Sequence, residues 1–166
     1  TPDIITCAKG LTNGAIPMGA VLVDEKIHDA FMQGPDGIEL FHGYTYSGHP
    51  VAAAAGLATL EIYRNENLLR RAADLAGYWE EAAHSLKGCK HVKDVRNYGL
   101  VAGIELESMP DAPGKRAYEV FVRCFEKGAL IRVTGDIIAL SPPLIIERSQ
   151  IDDLFTLLQD ALQAQD

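Results

Sequence analysis

One lysine of this sequence stands where it could bond covalently to a carbonyl compound. Lys9 directly follows a short apolar run, residues 4–8, and precedes Gly10. The pattern predicts a buried strand over residues 4–8 that Gly10 breaks, so that Lys9 lies at the strand end beside flexible backbone. Apolar surroundings disfavour the ammonium form, and the neutral amine can attack a carbonyl carbon to form a Schiff base. By itself, however, the pattern is more typical of an ordinary surface lysine.

Two further side chains have the chemistry to bind anionic groups. Thr45 lies in a glycine-flanked loop just before a predicted helix, where a hydroxyl and backbone N–H groups can meet a phosphate. Arg132 lies in an apolar run, where its planar guanidinium needs a partner and matches a carboxylate. The alternatives are that Thr45 hydrogen-bonds only within its loop, and that Arg132 forms a salt bridge to Asp136 or another acid.

Apolar periodicity and chain-breaking residues predict the elements that position Lys9 and Thr45. We expect a second buried strand over residues 18–23 and a helix over 24–32 with Asp24 as its N-cap. A long loop over 33–48 and an alanine-rich helix over 51–63, opened by Pro50, should follow. His49 precedes Pro50 at the helix start, so a capping or packing role is favoured over that of a general base. The loop is long enough to carry a function.

The pattern changes after residue 64, where a second domain is predicted to begin. We expect a helix over residues 66–86, with Trp79 as core anchor, followed by strands over 92–98 and 100–106. A further helix over 116–127 and strands over 129–133 and 137–140 come next, and a final helix is N-capped by Ser149. We therefore predict an α/β chain in two pieces, residues 1–64 and 65–166. The second piece should hold a mostly antiparallel sheet covered by helices.

Three segments of the sequence, taken in order, carry a resemblance to a known family. Residues 2–21 contain Lys9, residues 41–50 contain Thr45 and precede the alanine-rich helix, and residues 131–136 contain Arg132. Together they closely resemble the cofactor-lysine segment, the loop before a helix and the substrate-carboxylate strand of class III aminotransferases, which use pyridoxal phosphate. Within that family, the run Ser-Gly-His-Pro over residues 47–50 is similar to the ω-amino acid (β-alanine):pyruvate branch.

The resemblance implies a fold and a role for each of these residues. The fold would be that of fold-type I pyridoxal-phosphate-dependent transferases, with residues 1–64 the tail of the large domain and residues 65–166 the small C-terminal α/β domain. Lys9 would form the Schiff base with the cofactor and move a proton during transamination. Thr45, with backbone help near Tyr44, would bind the phosphate of the neighbouring subunit's cofactor, and Arg132 would bind the substrate carboxylate.

The expected activity is transfer of an amino group from an ω-amino acid or amine to pyruvate by a ping-pong route, in a homodimer or dimer of dimers. The alternatives are another class III aminotransferase acting on a diamine or γ-aminobutyrate, an aminomutase, or an inert truncated chain that serves as a dimerisation domain. Family members are more than twice as long, so the resemblance implies a C-terminal portion. The Gly-Ser-rich phosphate loop and the aspartate that pairs with the pyridine nitrogen would then lie upstream, and the fragment alone is expected to be poorly active or inactive.

Composition narrows the possible partners and location. Fifteen basic and 23 acidic residues give a net charge of −8 without a basic cluster, which argues against nucleic acid and anionic membranes as partners. No apolar run is long enough to span a membrane. Cys7, Cys89 and Cys124 are widely spaced, which suits reduced thiols and a cytoplasmic protein. The histidines show no metal-ligand spacing with the cysteines, so no metal site is predicted.

Overall fold

The computed structural model describes residues 2–35 and 40–165 of the chain. Its contacts divide the chain into two compact units with the boundary between Asn67 and Leu68. We call them the first and the second unit. Lys9, Tyr44 and Thr45 belong to the first unit, and Arg132 belongs to the second.

The first unit consists of an antiparallel hairpin and two helices. Its elements are β1 (Ile4–Ala8), β2 (Gly19–Val23), α1 (Glu25–Met32) and α2 (Pro50–Asn65). In the hairpin, Ile4 pairs with Val23 and Ala8 with Gly19. The predicted helix starts are confirmed: the Asp24 carboxylate accepts the backbone N–H of Lys26 at 3.0 Å, and Pro50 occupies the first turn of α2, where its missing N–H costs no hydrogen bond.

The predicted burial of the two hairpin strands is wrong for this chain. Ile4 is 53% exposed and Val21 is 60% exposed, although both lie in mostly apolar runs. A strand that is apolar on both faces is buried only when both faces are covered. Because β1 and β2 pair with no other strand among the described residues, most of their side chains stay exposed. The sequence pattern thus indicated the strands themselves and not their surroundings.

The second unit is a sheet with helices packed against one face. Its elements are α3 (Leu68–His84), a 3₁₀ turn (Ser85–Gly88), β3 (Val92–Tyr98), β4 (Val101–Leu106), α4 (Lys115–Glu126), β5 (Arg132–Thr134), β6 (Ile137–Leu140) and α5 (Arg148–Gln163). The strand order is β3-β4-β6-β5 and every neighbouring pair is antiparallel. The predicted antiparallel sheet is therefore confirmed.

Trp79 is at the centre of the hydrophobic core of the second unit. Its side chain is 0% exposed and its ring meets Phe155 of α5 edge to face, with 5.1 Å between the ring centroids. Ile104 of β4 and Ile138 of β6 lie fully buried in the same core. Each side chain of this size contributes roughly 1.5–3 kcal/mol when it is removed from water. The prediction that Trp79 anchors the core is confirmed.

Two local predictions in the second unit are wrong. The strand expected over residues 129–133 begins only at Arg132, because the N–H of Ala129 still bonds to the carbonyl of Cys124 in the turn that ends α4. The last helix is capped by Glu147 and not by Ser149, and the Glu147 N–H donates to Gln150 Oε1 at 3.0 Å. Within residues 2–35 and 40–165, each helix is too short or too polar to traverse a membrane.

Candidate active site

Lys9 lies one residue beyond β1, in a backbone conformation that is unusual for a side chain of its type. Its φ of 51° falls in the left-handed region, where a residue with a Cβ is strained. The lysine side chain is exposed, so the expected apolar surroundings are not formed by the described residues. Its amine makes no hydrogen bond or ion pair with any residue in 2–35 or 40–165. The amine is therefore available to react.

Helix α2 holds the loop that carries Lys9. The Tyr63 hydroxyl donates to the Gly10 carbonyl at 2.7 Å. A Cβ placed on Gly56 would lie 3.7 Å from the Leu11 carbonyl oxygen, so α2 passes close to the loop backbone. The loop is also tied to itself, because the buried Thr12 hydroxyl donates to the Ile16 carbonyl. These contacts fix the backbone on the C-terminal side of Lys9.

The loop before α2 folds into a tight turn whose hydrogen bonds do not involve the Thr45 hydroxyl. The N–H of Tyr44 donates to Ser47 Oγ at 2.9 Å, and the N–H of Ser47 donates to the Tyr44 carbonyl at 2.8 Å. Ser47 thus makes the local hydrogen bonds that one alternative assigned to Thr45. Thr45 is exposed, and its hydroxyl has no hydrogen-bond partner in the described part of the chain.

A groove of about 450 Å³ connects this turn with the approach to β2. Tyr44 and Met18 both line it, whereas Lys9 and Thr45 are not among the described residues of its wall. His49 stands at the N-cap position of α2 without a side-chain cap bond, and its ring centroid lies 6.2 Å from that of Tyr46. Of the two roles expected for His49, packing is the one its side chain shows.

Arg132 is the first residue of β5, and its side chain lies on the exposed face of the sheet. The register places it in one row with Ala139, Gly103 and Arg96 on four neighbouring strands. Its guanidinium makes no hydrogen bond or ion pair within the described ranges, and its side chain is exposed. The salt bridge to Asp136 considered above is absent, because the Asp136 carboxylate accepts the Gly114 N–H at 2.8 Å instead.

The other arginine of this row is already paired. Arg96 Nη1 lies 3.0 Å from Asp94 Oδ2 and 3.2 Å from Glu105 Oε2. Hydrogen bonds from Lys93 and Arg96 lower the pKa of the Glu105 carboxyl, so this acid stays ionised and keeps its partners. Of the two guanidiniums in the row, the one on Arg132 is therefore free for a carboxylate that the chain does not itself supply.

A second groove, of about 780 Å³, runs beside Arg132 in the second unit. Its wall is mostly apolar and includes Phe121, Leu130, Ile131, Val133, Pro142 and Pro143. A guanidinium at the side of an apolar groove suits a ligand that combines a carboxylate with a hydrocarbon segment.

The donor groups in the first unit fit pyridoxal phosphate. An amine that makes no bond to any described residue can bond to the aldehyde carbon, and a hydroxyl in the turn before a 16-residue helix can donate to a phosphate oxygen. Lys9 and Thr45 supply these two groups. Tyr44 is predicted to help through its backbone, but its N–H already donates to Ser47, whose part in this turn the sequence pattern does not indicate. The pattern does not indicate Tyr63 either, since its contact with Gly10 joins residues far apart in sequence.

Solved structures share this fold. The adenosylmethionine-8-amino-7-oxononanoate aminotransferase from Methanocaldococcus jannaschii aligns with 100% of this chain and 40% of its own, at a TM-score of 0.91 and 35% sequence identity. The predicted class, the α/β fold of fold-type I pyridoxal-phosphate-dependent transferases, is thereby confirmed.

The chain belongs to the class III aminotransferase family, whose model, Aminotransferase class-III, matches residues 1–162. It is 63% identical over 163 residues to an omega-aminotransferase from Caulobacter vibrioides and 41% identical over 165 residues to a beta-alanine--pyruvate aminotransferase from Pseudomonas aeruginosa. Each alignment covers 98% of this chain and 37% of the relative, so the chain spans little more than a third of their length. Class III aminotransferases are pyridoxal-phosphate-dependent enzymes.

Proposed function

We propose that this chain is part of an aminotransferase that moves an amino group from an ω-amino acid or amine to pyruvate. The observation that carries the proposal is Lys9, which follows β1 in a chain of this family and whose amine is bonded to no other described residue. The choice of substrates is supported by the two curated relatives, whose names give an omega-aminotransferase and a beta-alanine--pyruvate aminotransferase. A small-molecule amino donor and a keto acid are the partners that this activity requires.

Each of the predicted site residues has a defined task in this proposal. Bound pyridoxal phosphate would supply an electron sink for the pair left when the C–H bond at the amine-bearing carbon of the substrate breaks. Lys9 Nζ would hold the cofactor covalently, and its amine would accept the proton from that carbon and pass it on. The Thr45 hydroxyl donates to the cofactor phosphate beside Tyr44. The Arg132 guanidinium binds the substrate carboxylate and fixes its orientation.

We further propose an arrangement for the intact protein. The first unit corresponds to the C-terminal part of the large cofactor-binding domain, and the second to the small C-terminal domain, close to the division expected at residue 64. The intact protein is a homodimer or a dimer of dimers, in which Thr45 serves the cofactor of the neighbouring subunit. A cytoplasmic location is supported by Cys7, Cys89 and Cys124, none of which forms a disulfide.

The proposal is tested by supplying the intact protein, loaded with pyridoxal phosphate, with pyruvate and a set of amino donors. β-Alanine and a simple primary amine should both yield alanine, detected by chromatography. Putrescine and γ-aminobutyrate, each with pyruvate and with 2-oxoglutarate, distinguish the other transaminases. An isomerised substrate without alanine would indicate an aminomutase, and the absence of any turnover by cofactor-loaded protein would refute the proposed activity.

A further inference from the structure

One hydrogen bond reaches the Lys9 loop from a residue far away in the sequence. The Tyr63 hydroxyl, on the last turn of α2, donates to the carbonyl of Gly10 at 2.7 Å, across 53 positions of the sequence. The bonded carbonyl belongs to the residue directly after Lys9. The bond therefore fixes the peptide unit between Gly10 and Leu11, one residue beyond Lys9, and limits how far the backbone at Lys9 can rotate.

Lys9 needs such support because its own backbone conformation is strained. A φ of 51° is disfavoured for a residue with a side chain, and such conformations persist only where the surrounding structure imposes them. The nearest bond within the loop is weak, since the N–H of Thr12 lies 3.4 Å from the Lys9 carbonyl oxygen. The bond from Tyr63 is shorter and comes from a 16-residue helix, so it is the firmer of the two constraints.

Gly10 leaves the space that this bond requires. A Cβ built on Gly10 would lie 3.2 Å from the Tyr63 hydroxyl oxygen, closer than an ordinary van der Waals contact. Because no positive φ demands glycine at this position, the close approach of Tyr63 is the feature that a side chain would disturb.

We propose that Tyr63 is a positioning residue for Lys9: its hydroxyl holds the Gly10 carbonyl and so fixes the direction in which the lysine side chain leaves the loop. The inference rests on the proposed role of Lys9. Tyr63 does not touch the reacting atoms in this account. It affects how often the Lys9 amine stands in the orientation that bonds to the cofactor aldehyde.

Two cofactor forms separate positioning from a general effect on the fold. Pyridoxal phosphate can bond to Lys9, whereas pyridoxine 5′-phosphate carries an alcohol in place of the aldehyde and can only bind noncovalently. The intact apoprotein is compared with Tyr63→Phe and with Tyr118→Phe. Tyr118 is a matched control, because it is also on a helix, is 58% exposed and has a hydroxyl without a hydrogen bond to any described residue.

The rate of bond formation is followed by borohydride reduction at timed intervals and mass analysis of the peptide that contains Lys9. Loss of one hydrogen bond should slow this rate roughly two- to tenfold in Tyr63→Phe. The affinity for pyridoxine 5′-phosphate should stay within about twofold of the wild type, because the phosphate and ring contacts do not depend on Lys9. Tyr118→Phe should leave both quantities unchanged.

A second variant approaches the same contact from the other side. Gly10→Ala places its Cβ against the Tyr63 hydroxyl and should slow bond formation in the same way. The double variant Gly10→Ala/Tyr63→Phe should be no slower than the slower single variant, since both changes remove one interaction.

Three results would overturn the positioning role. The first is an unchanged rate of bond formation in both single variants, and the second is a loss of affinity for pyridoxine 5′-phosphate as large as the loss of that rate. The third is a double variant whose rate falls by the product of the two single effects. Failure of the proposed function gives a different result. In that case the wild-type protein itself carries no reduced cofactor on Lys9, whatever residue stands at position 63.

Discussion

The hydrogen bond from Gly114 to Asp136 joins the turn after the Arg132 strand to the start of α4. The Gly114 N–H lies 2.8 Å from Asp136 Oδ1 in a partly buried position. Gly114 has φ +79°, and a Cβ there would lie 3.4 Å from the carbonyl oxygen of Gly135, so the two backbones are already close. We predict that Asp136→Ala loosens this junction, because it leaves the N–H of Gly114 without its acceptor.

The size of the effect follows from the kind of bond. A hydrogen bond to a charged group contributes about 1.5–3 kcal/mol. Since about 1.4 kcal/mol corresponds to a factor of ten, local opening should become roughly tenfold to hundredfold more frequent in Asp136→Ala. Asp136→Asn keeps an acceptor oxygen at the same place and loses only the charge. Its effect should be smaller, roughly fivefold, as expected for a neutral bond of about 1 kcal/mol that remains.

Amide hydrogen exchange of the intact protein measures this opening directly. The peptide that spans residues 112–118 should exchange faster in Asp136→Ala than in Asp136→Asn, and faster in Asp136→Asn than in the wild type. Peptides of α3 serve as the internal reference and should not change. Equal exchange in the wild type and Asp136→Ala, or equally fast exchange in both variants, would refute the reasoning.

The roles of Thr45 and Arg132 give two further predictions. Thr45→Ala should raise the dissociation constant of pyridoxal phosphate roughly tenfold or more, because a hydrogen bond to a charged phosphate is lost, and Thr45→Ser should retain most of the affinity. Equal affinity in Thr45→Ala and the wild type, measured by equilibrium dialysis, would count against the phosphate role. Arg132→Ala should raise KM for β-alanine roughly tenfold or more and change KM for a simple amine little. Arg96→Ala is the control and should affect neither KM, because the Arg96 guanidinium is already paired. Equal losses on both substrates in Arg132→Ala would make Arg132 structural.

Much of the fold could be predicted because the relevant information is local. The strand at Val92–Tyr98 and the strand at Ile137–Leu140 lie where apolar patterning placed them, and Pro50 marks the start of α2. Apolar periodicity and chain-breaking residues involve only neighbours in the sequence, so the elements that they define can be predicted from it. The apolar face predicted for α5 is also present, with Ile151 and Leu158 fully buried.

The errors occur where the outcome depends on competition or on distant contacts. Glu147 and Ser149 are both possible N-caps, and the pairing of Glu147 with Gln150 decides between them. The apolar run of residues 4–8 forms a strand, but burial depends on what covers it, and the hairpin provides no cover. Tyr63 and Gly10 meet only after folding, so no local pattern could reveal their bond.

The candidate site, like the fold, could be predicted only in part. The residue types at Lys9, Thr45 and Arg132 indicated amine, hydroxyl and guanidinium chemistry, and the structure shows that none of the three groups is bonded to another described residue. Only the structure shows which of two similar groups is free to bind a ligand. Ser47 makes the hydrogen bonds of the turn, so the Thr45 hydroxyl is not used there. Arg96 is paired with acidic side chains, and Arg132 is paired with none that the structure describes.

The measurement that tests the central claim most directly is the location of the covalently held cofactor. Intact holoprotein is reduced with borohydride, digested and mapped by mass spectrometry, beside Lys9→Ala and Lys26→Ala. Lys26 is a matched control, because it is also an exposed lysine of the first unit and pairs with Asp3. The account predicts one modified peptide, containing Lys9, in the wild type and Lys26→Ala, and none in Lys9→Ala. A cofactor adduct on another lysine, or its persistence in Lys9→Ala, would contradict it.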